Sequence, residues 1–362
     1  MADRARRKAL RLAGASKALP QVALTSAGLQ LQRDLNNKTV DPVLILRHRL
    51  AEGTADLETA RLCLDSYYQR LIRVPRKQRR QRMQDDDIGS LALNWLWSED
   101  HRWVRAVTLD VQSLKHVCLL SVAESSDDLL IEWLTKPLAL ADGESHDTDT
   151  HQWHGAVLRY VAEGCLMLDC DARADEAIRK FFGVVDRVVS ARHEQRSSGI
   201  EPPLARTSLW PAQVVISREL ATARYYRTNV ELWDKFAQWS MHDGYQSGLA
   251  SAKLAIAHPA KAELEPALSY VRRHLAPLSR CDFEKEFPTG SSSRSSMSLF
   301  LRRIKDVALQ QNRAIDDDYV EQLMRTLLDG QERTSLEAKW QEQARWMKPA
   351  ARRKEKRDKP VS

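Results

Sequence analysis

The chain has 362 residues, 43% of them hydrophobic, and a net charge of +7, which is enough apolar surface for a substantial core and excludes a chain disordered throughout. Thirteen Gly and thirteen Pro are few for a β-rich protein of this length. No apolar run reaches the roughly 18 residues of a membrane span, which excludes an integral membrane segment and leaves peripheral attachment open.

Positive charge is concentrated in three places. Residues 1–33, the run 73–84 and the tail 348–362 hold the basic surplus, and the remaining body is acidic. In the first of these, Arg4, Arg7, Lys8 and Arg11 share one helical face opposite Ala5, Ala9, Leu12 and Ala13, and Asp3 is the only acid before Asp34. That pattern reads as a mitochondrial transit peptide; a nuclear import arm is the alternative. The five cysteines, Cys63, Cys118, Cys165, Cys170 and Cys281, are odd in number and sit in apolar patterns, so they read as core thiols of a reducing compartment.

An N-terminal helical lobe is expected over 41–136. Val43 to Leu50 makes a short apolar segment, Gly53 breaks it, and Leu57, Ala60, Leu64, Tyr67 and Leu71 repeat at the helical period, which predicts a helical hairpin. A basic linker follows over 73–84. Beyond it come the Trp-bearing segment Leu91 to Trp97 and a long stripe of Val104, Val107, Val111, Leu114, Cys118 and Val122. The polar, acidic stretch Asp142 to Thr150 then marks a boundary before a second lobe over 151–347.

In that lobe Val157, Tyr160, Val161, Cys165 and Leu168 predict one helix, and the stripe from Ala174 to Val189 predicts its neighbour, with Asp171 placed to cap it. Shorter helices are expected from Pro211, at Val230 to Met241, at Gly248 to Ala257, at Ala262 to Leu275, at Met297 to Leu309 and from Asp316 to Leu328. Thr334 with Glu337 predicts a capping box for a last, peripheral helix with the thin stripe Leu336, Trp340 and Met347. Residues 348–362 read as a basic disordered tail. The fold class is therefore all-α: irregular stacked helix hairpins, α-solenoid-like, in two lobes.

Chemistry-bearing motifs are scarce. The chain holds no GxxxxGKS/T, GxGxxG, HExxH or GxSxG pattern, and it is expected to be no enzyme and to carry no cofactor. His146, Asp147, Asp149, His151 and His154 could crowd around a divalent metal, but a solvated loop explains them more simply. Asp85 to Asp87 and Asp316 to Asp318 read as helix-start acids. Ser291 to Ser296 reads as a flexible connector open to phosphorylation, and Trp210, beside a loop, as the tryptophan with the best claim to exposure. The basic runs carry the main functional expectation. Arg76, Lys77, Arg79, Arg80 and Arg82 would contact phosphate, with Arg352, Arg353 and Lys354 as a second electrostatic arm.

The segment Trp153 to Pro203 resembles a pentatricopeptide-type unit: a helix, a short break, an Ala-containing second helix, then Ser198-Gly199-Ile200-Glu201-Pro202. Leu209 to Met241 has about the length of a further unit, and Pro42 to Ile72 is a weaker third. The resemblance implies a non-catalytic helical-repeat protein of mitochondrial gene expression, acting in the matrix on RNA or on ribosomes and translation factors. A helical scaffold that docks a basic protein partner through its acidic body, nuclear or cytosolic, is the alternative.

Overall fold

The computed structural model describes residues 24–98, 111–134, 152–169, 171–199, 207–222, 225–242, 248–338 and 340–341, with the backbone alone at 76, 77, 111–113, 152, 153, 198, 241, 242 and 292. Every regular element among them is helical, so the chain is all-α. The chain divides into two compact units, 1–170 with 180–212 and 171–179 with 213–362.

The first unit opens with α1 (Ser26–Asn36), α2 (Pro42–Ala51) and α3 (Leu57–Leu71). Their starts follow from side-chain caps. Thr25 accepts from the Gly28 N–H, Asp41 from Val43 and Leu44, and Asp56 from Thr59, each satisfying an orphan donor of a first turn. Helix α1 falls across the end of the basic segment and before the expected start of the lobe. Its hold on the unit is polar, because Thr25 donates through its backbone N–H and its hydroxyl to Glu58 at 2.9 and 2.5 Å. The α2–α3 hairpin is present as expected, and Gly53 takes φ +67° in its turn, a conformation that favours glycine.

Helices α4 (Arg76–Asp86), α5 (Ile88–Trp97), α6 (Val111–Ala123) and α7 (Asp127–Trp133) follow. Leu114, Cys118, Leu120 and Val122 of α6 are buried, and α3, α5 and α8 (Gln152–Leu168) pack against this helix. Gly164 lets α8 approach closely, since a Cβ there would lie 3.2 Å from Val122 Cβ. Trp97 and Trp133 stack at 4.5 Å between α5 and α7, so these tryptophans serve packing. The long α9 (Asp175–Ser198) joins this unit from Lys180 onward, where Lys180 pairs with the buried carboxylate of Asp127. Burial pushes the Cys63 thiol up to about 12, as expected for an inert core cysteine.

Helix α10 (Trp210–Leu220) belongs to the second unit from Gln213 onward, and α11 (Val230–His242), α12 (Gly248–Ile256) and α13 (Leu264–Tyr270) lead into a π turn, Val271–Leu275, which ends before Pro277. Helices α14 (Arg280–Glu286), α15 (Ser292–Gln310) and α16 (Ala314–Leu327) complete the core, where Phe283, Leu301, Ile304, Val320 and Leu327 meet. Two expectations need correction here. The serines expected as a flexible connector are helical, because Ser291 caps Arg294 and the helix starts at Ser292. The last helical segment, 330–338, is docked rather than peripheral: Leu336 and Trp340 are buried, and its capping box is Asp329 with Glu332 instead of Thr334 with Glu337.

Lys253 on α12 is held against α15, with its ammonium 2.7 Å from Ser296 Oγ and above the Phe300 ring. Burial pushes this lysine down to about 8. Between about 8 and the ordinary 10.5 the unfolded chain binds the extra proton, so stability rises with pH through that window. Lys253→Met is therefore expected to stabilise the fold by about 1 kcal/mol at pH 7, with the gain fading by pH 10. Thermal melts of both proteins at the two pH values check this; a loss of stability at pH 7 would contradict it.

Candidate nucleic-acid interface

The basic run expected as a linker is a helix. No apolar stripe drives α4: Met83 is its one buried hydrophobic residue, at 3% exposure. Side chains from elsewhere hold it in place. Tyr67 donates its hydroxyl to Asp86 at 3.0 Å, Arg47 donates to the Asp86 carbonyl at 2.9 Å, and Gln84 donates to the Ala123 carbonyl at 3.2 Å. Asp87 then turns the chain into α5 with φ +50°. Asp85 and Asp86 thus end α4, and Asp87 is both its last cap and the residue before α5, where its side chain makes no capping bond and Glu124 accepts from the first-turn N–H groups instead.

The five bases expected to contact phosphate have different surroundings. Arg79 closes the end of α3, donating to the carbonyls of Ile72 and Val74 at 2.6 and 2.8 Å, where the helix dipole favours a cation. Arg82 pairs with Asp86 at 2.7 Å but remains 59% exposed. Arg80, half-buried, and Arg73, exposed just before α4, have no ion-pair partner among the described residues. The side chains of Arg76 and Lys77 are outside the described residues, as are Arg352, Arg353 and Lys354 altogether.

Arg73 also belongs to a feature that no contiguous motif announces, a cleft of about 330 Å³ between α1, α3 and α6. Gln32 and Asn36 of α1, Asp65, Ser66 and Gln69 of α3, and His116 of α6 form its polar walls, over Leu35 and Leu62. Among the described residues, Lys38, Arg70 and Arg73 supply three cations against the single carboxylate of Asp65. Arg70 is committed to structure, since its Nη2 donates to the carbonyls of Leu35 and Val40 at 3.0 and 2.9 Å and so fixes the end of α1. Lys38, in the turn after α1, is exposed and has no ion-pair partner among the described residues.

Asp65 and His116 are in close contact, without hydrogen-bond geometry between them. Asp65 Oδ1 lies 2.6 Å from His116 Nδ1, the carboxylate side chain being 38% exposed and the imidazole 1%. The His116 ring stacks on Tyr68 at 4.5 Å, and Arg79 lies near enough to Tyr68 to favour its ionised form, against the burial that pushes its hydroxyl up. Cleft and basic helix belong to one unit, and Arg73, which lines the cleft, stands just before α4 in the chain. A ligand of this surface would meet cations at the rim and a carboxylate and amides within.

The other residues singled out from sequence lie apart. His146, Asp147, Asp149 and His151 are outside the described residues, while His154 is buried in α8. Asp316 is bound by Arg272 Nη2 at 3.1 Å and by Arg313 Nε at 2.7 Å, which gives this acid a structural role in the first turn of α16. Trp210 is half-buried at the start of α10. Compared with family models, curated proteins and solved structures, the chain finds no match in any of the three.

Proposed function

We propose that this chain is a non-catalytic RNA-binding protein whose first unit holds single-stranded RNA across the cleft and along α4, and that it acts in mitochondrial gene expression. The observation that carries the reading is the set of cations lining a polar cleft, one of which, Arg73, stands just before α4, a helix with Lys or Arg at five of its 11 positions. Lys38, Arg73 and Arg80 have neither an ion pair nor a side-chain hydrogen bond among the described residues, so they can neutralise phosphates without first giving up a protein partner. Arg82 can add to them at the cost of its pair with Asp86, and Arg79 acts indirectly by closing α3.

Two sequence features support the wider setting. The Arg-rich, acid-poor first residues suit import into the mitochondrial matrix, and the pentatricopeptide-like segment suits organellar RNA. In that segment α8 and α9 form the two helices, and Gly199 takes φ +72° after the second. Helix α9 runs for 24 residues, long for a repeat unit, so base reading at repeat positions is not part of the proposal.

The test is binding of single-stranded RNA by the full chain and by Arg73→Ser/Arg80→Ser. The pair of substitutions is expected to cost about tenfold in affinity at 0.1 M salt and to make the slope of log K against log salt shallower by about 1.4. Unchanged affinity would contradict the proposal, and saturable binding of a basic protein with no RNA affinity would establish the scaffold instead.

A further inference from the structure

We propose that the cleft between α1, α3 and α6 takes up one nucleotide of the bound strand, its phosphate at Lys38 and Arg73 and the amino edge of its base at Asp65. The inference rests on the RNA-binding reading and names what the site selects.

Size and charge set the class of ligand. A cleft of about 330 Å³ is at the small end of ligand sites and suits one nucleotide, while a duplex is far too wide for it. Lys38 and Arg73 are the two rim cations not committed to other protein groups among the described residues, whereas Arg70 is held by the carbonyls of Leu35 and Val40. The phosphate therefore belongs at Lys38 and Arg73.

Asp65 sets the preference within that class. It is the only carboxylate lining the cleft among the described residues, and a carboxylate accepts hydrogen bonds from the exocyclic amino group of cytosine, adenine or guanine. Uracil presents a carbonyl in place of cytosine's amino group and would set oxygen against oxygen. One carboxylate oxygen of Asp65 lies against the buried His116 ring, on which Tyr68 stacks, and the contact lacks hydrogen-bond geometry. Gln32, Asn36 and Gln69 provide amides for the remaining base edges.

Cytidine and uridine 5′-monophosphate are the sharpest probes, because they share sugar and phosphate and differ at that edge. Titration of the full chain, followed by calorimetry or by NMR shifts, is expected to give about tenfold tighter binding of the cytidine nucleotide. Asp65→Asn is expected to shrink the ratio to within about twofold while leaving phosphate-dependent binding in place. If that variant does not fold, the wild-type ratio alone decides. Equal affinities, or no binding of either nucleotide by a chain that still binds RNA through Arg73 and Arg80, would overturn this inference and leave the RNA-binding reading intact. A chain that binds neither RNA nor nucleotides overturns both.

Discussion

Arg294→Ala is expected to destabilise the second unit by about 3–5 kcal/mol, the largest effect of any single change considered. Arg294 is buried on α15 and sets one edge of its guanidinium on Glu332, Nε donating to Oε1 at 2.5 Å and Nη2 to Oε2 at 2.7 Å, while Nη1 donates to the Phe287 carbonyl at 3.0 Å. The guanidinium also lies over the Phe283 ring. Removing it strands Glu332, which is 21% exposed, together with a carbonyl, and opens space beside an aromatic pair. The same contact docks segment 330–338, so that segment should gain amide exchange before the rest of the unit does. Arg294→Lys should recover only part of the loss, because an ammonium cannot reproduce the two parallel bonds. Urea unfolding of the three proteins measures this; a cost under about 1 kcal/mol for Arg294→Ala would show that the pair contributes little net stability.

Glu124→Ala has the second largest expected effect, about 2–3 kcal/mol, and it carries a signature in pH. Glu124 stands at the end of α6 and accepts from the N–H groups of Gly89 and Ser90 at 2.9 and 2.5 Å and from the Ser90 hydroxyl at 2.7 Å. It is the N-terminal cap of α5, lent by another helix. Burial pushes its carboxyl from 4.5 up to about 7, against the pull of those three donors. The unfolded carboxyl loses its proton near 4.5 and the folded one near 7, so the native state binds more protons between those values. Stability contributed by this group therefore falls as pH rises through that window. The gap between wild type and Glu124→Ala should be wider at pH 5 than at pH 8, and a gap that widens with pH would contradict the account.

What could be read from the sequence follows from where apolar periodicity does the holding. Helices α3, α9 and α15 carry stripes of large apolar residues and lie where those stripes predict, and α6 follows its stripe from Val111 on, Val104 and Val107 being outside the described residues. Periodicity fails where polar groups do the work. Helix α1 buries only Gly28 and Leu35 and is tied down by Thr25 and Glu58, while α4 buries Met83 and depends on Tyr67, Arg47 and Gln84. The last helical segment reads as peripheral from its thin stripe, yet Arg294 and Arg302 bind its Glu332 and Glu337. Such long-range polar contacts leave no periodic trace, although the Asp329/Glu332 spacing is a capping box that the sequence does display.

The candidate site was half legible for the same reason. The density of bases after Ile72 is visible as composition, but which of them are free depends on tertiary partners: Arg79 caps α3 and Arg82 pairs with Asp86, while Arg80 does neither. The cleft was not legible at all, because Gln32, Asp65 and His116 come from three helices separated by long stretches of chain. Only folding brings them together.

The most direct test of the central claim is photo-crosslinking of the full chain to single-stranded RNA, with the attached peptides mapped by mass spectrometry. The account predicts attachment within residues 32–38, 65–73 and 76–82, lost together when Arg73 and Arg80 are changed to Ser. Crosslinks confined to residues beyond 213, or unaffected by those changes, would show that RNA is held elsewhere and contradict it.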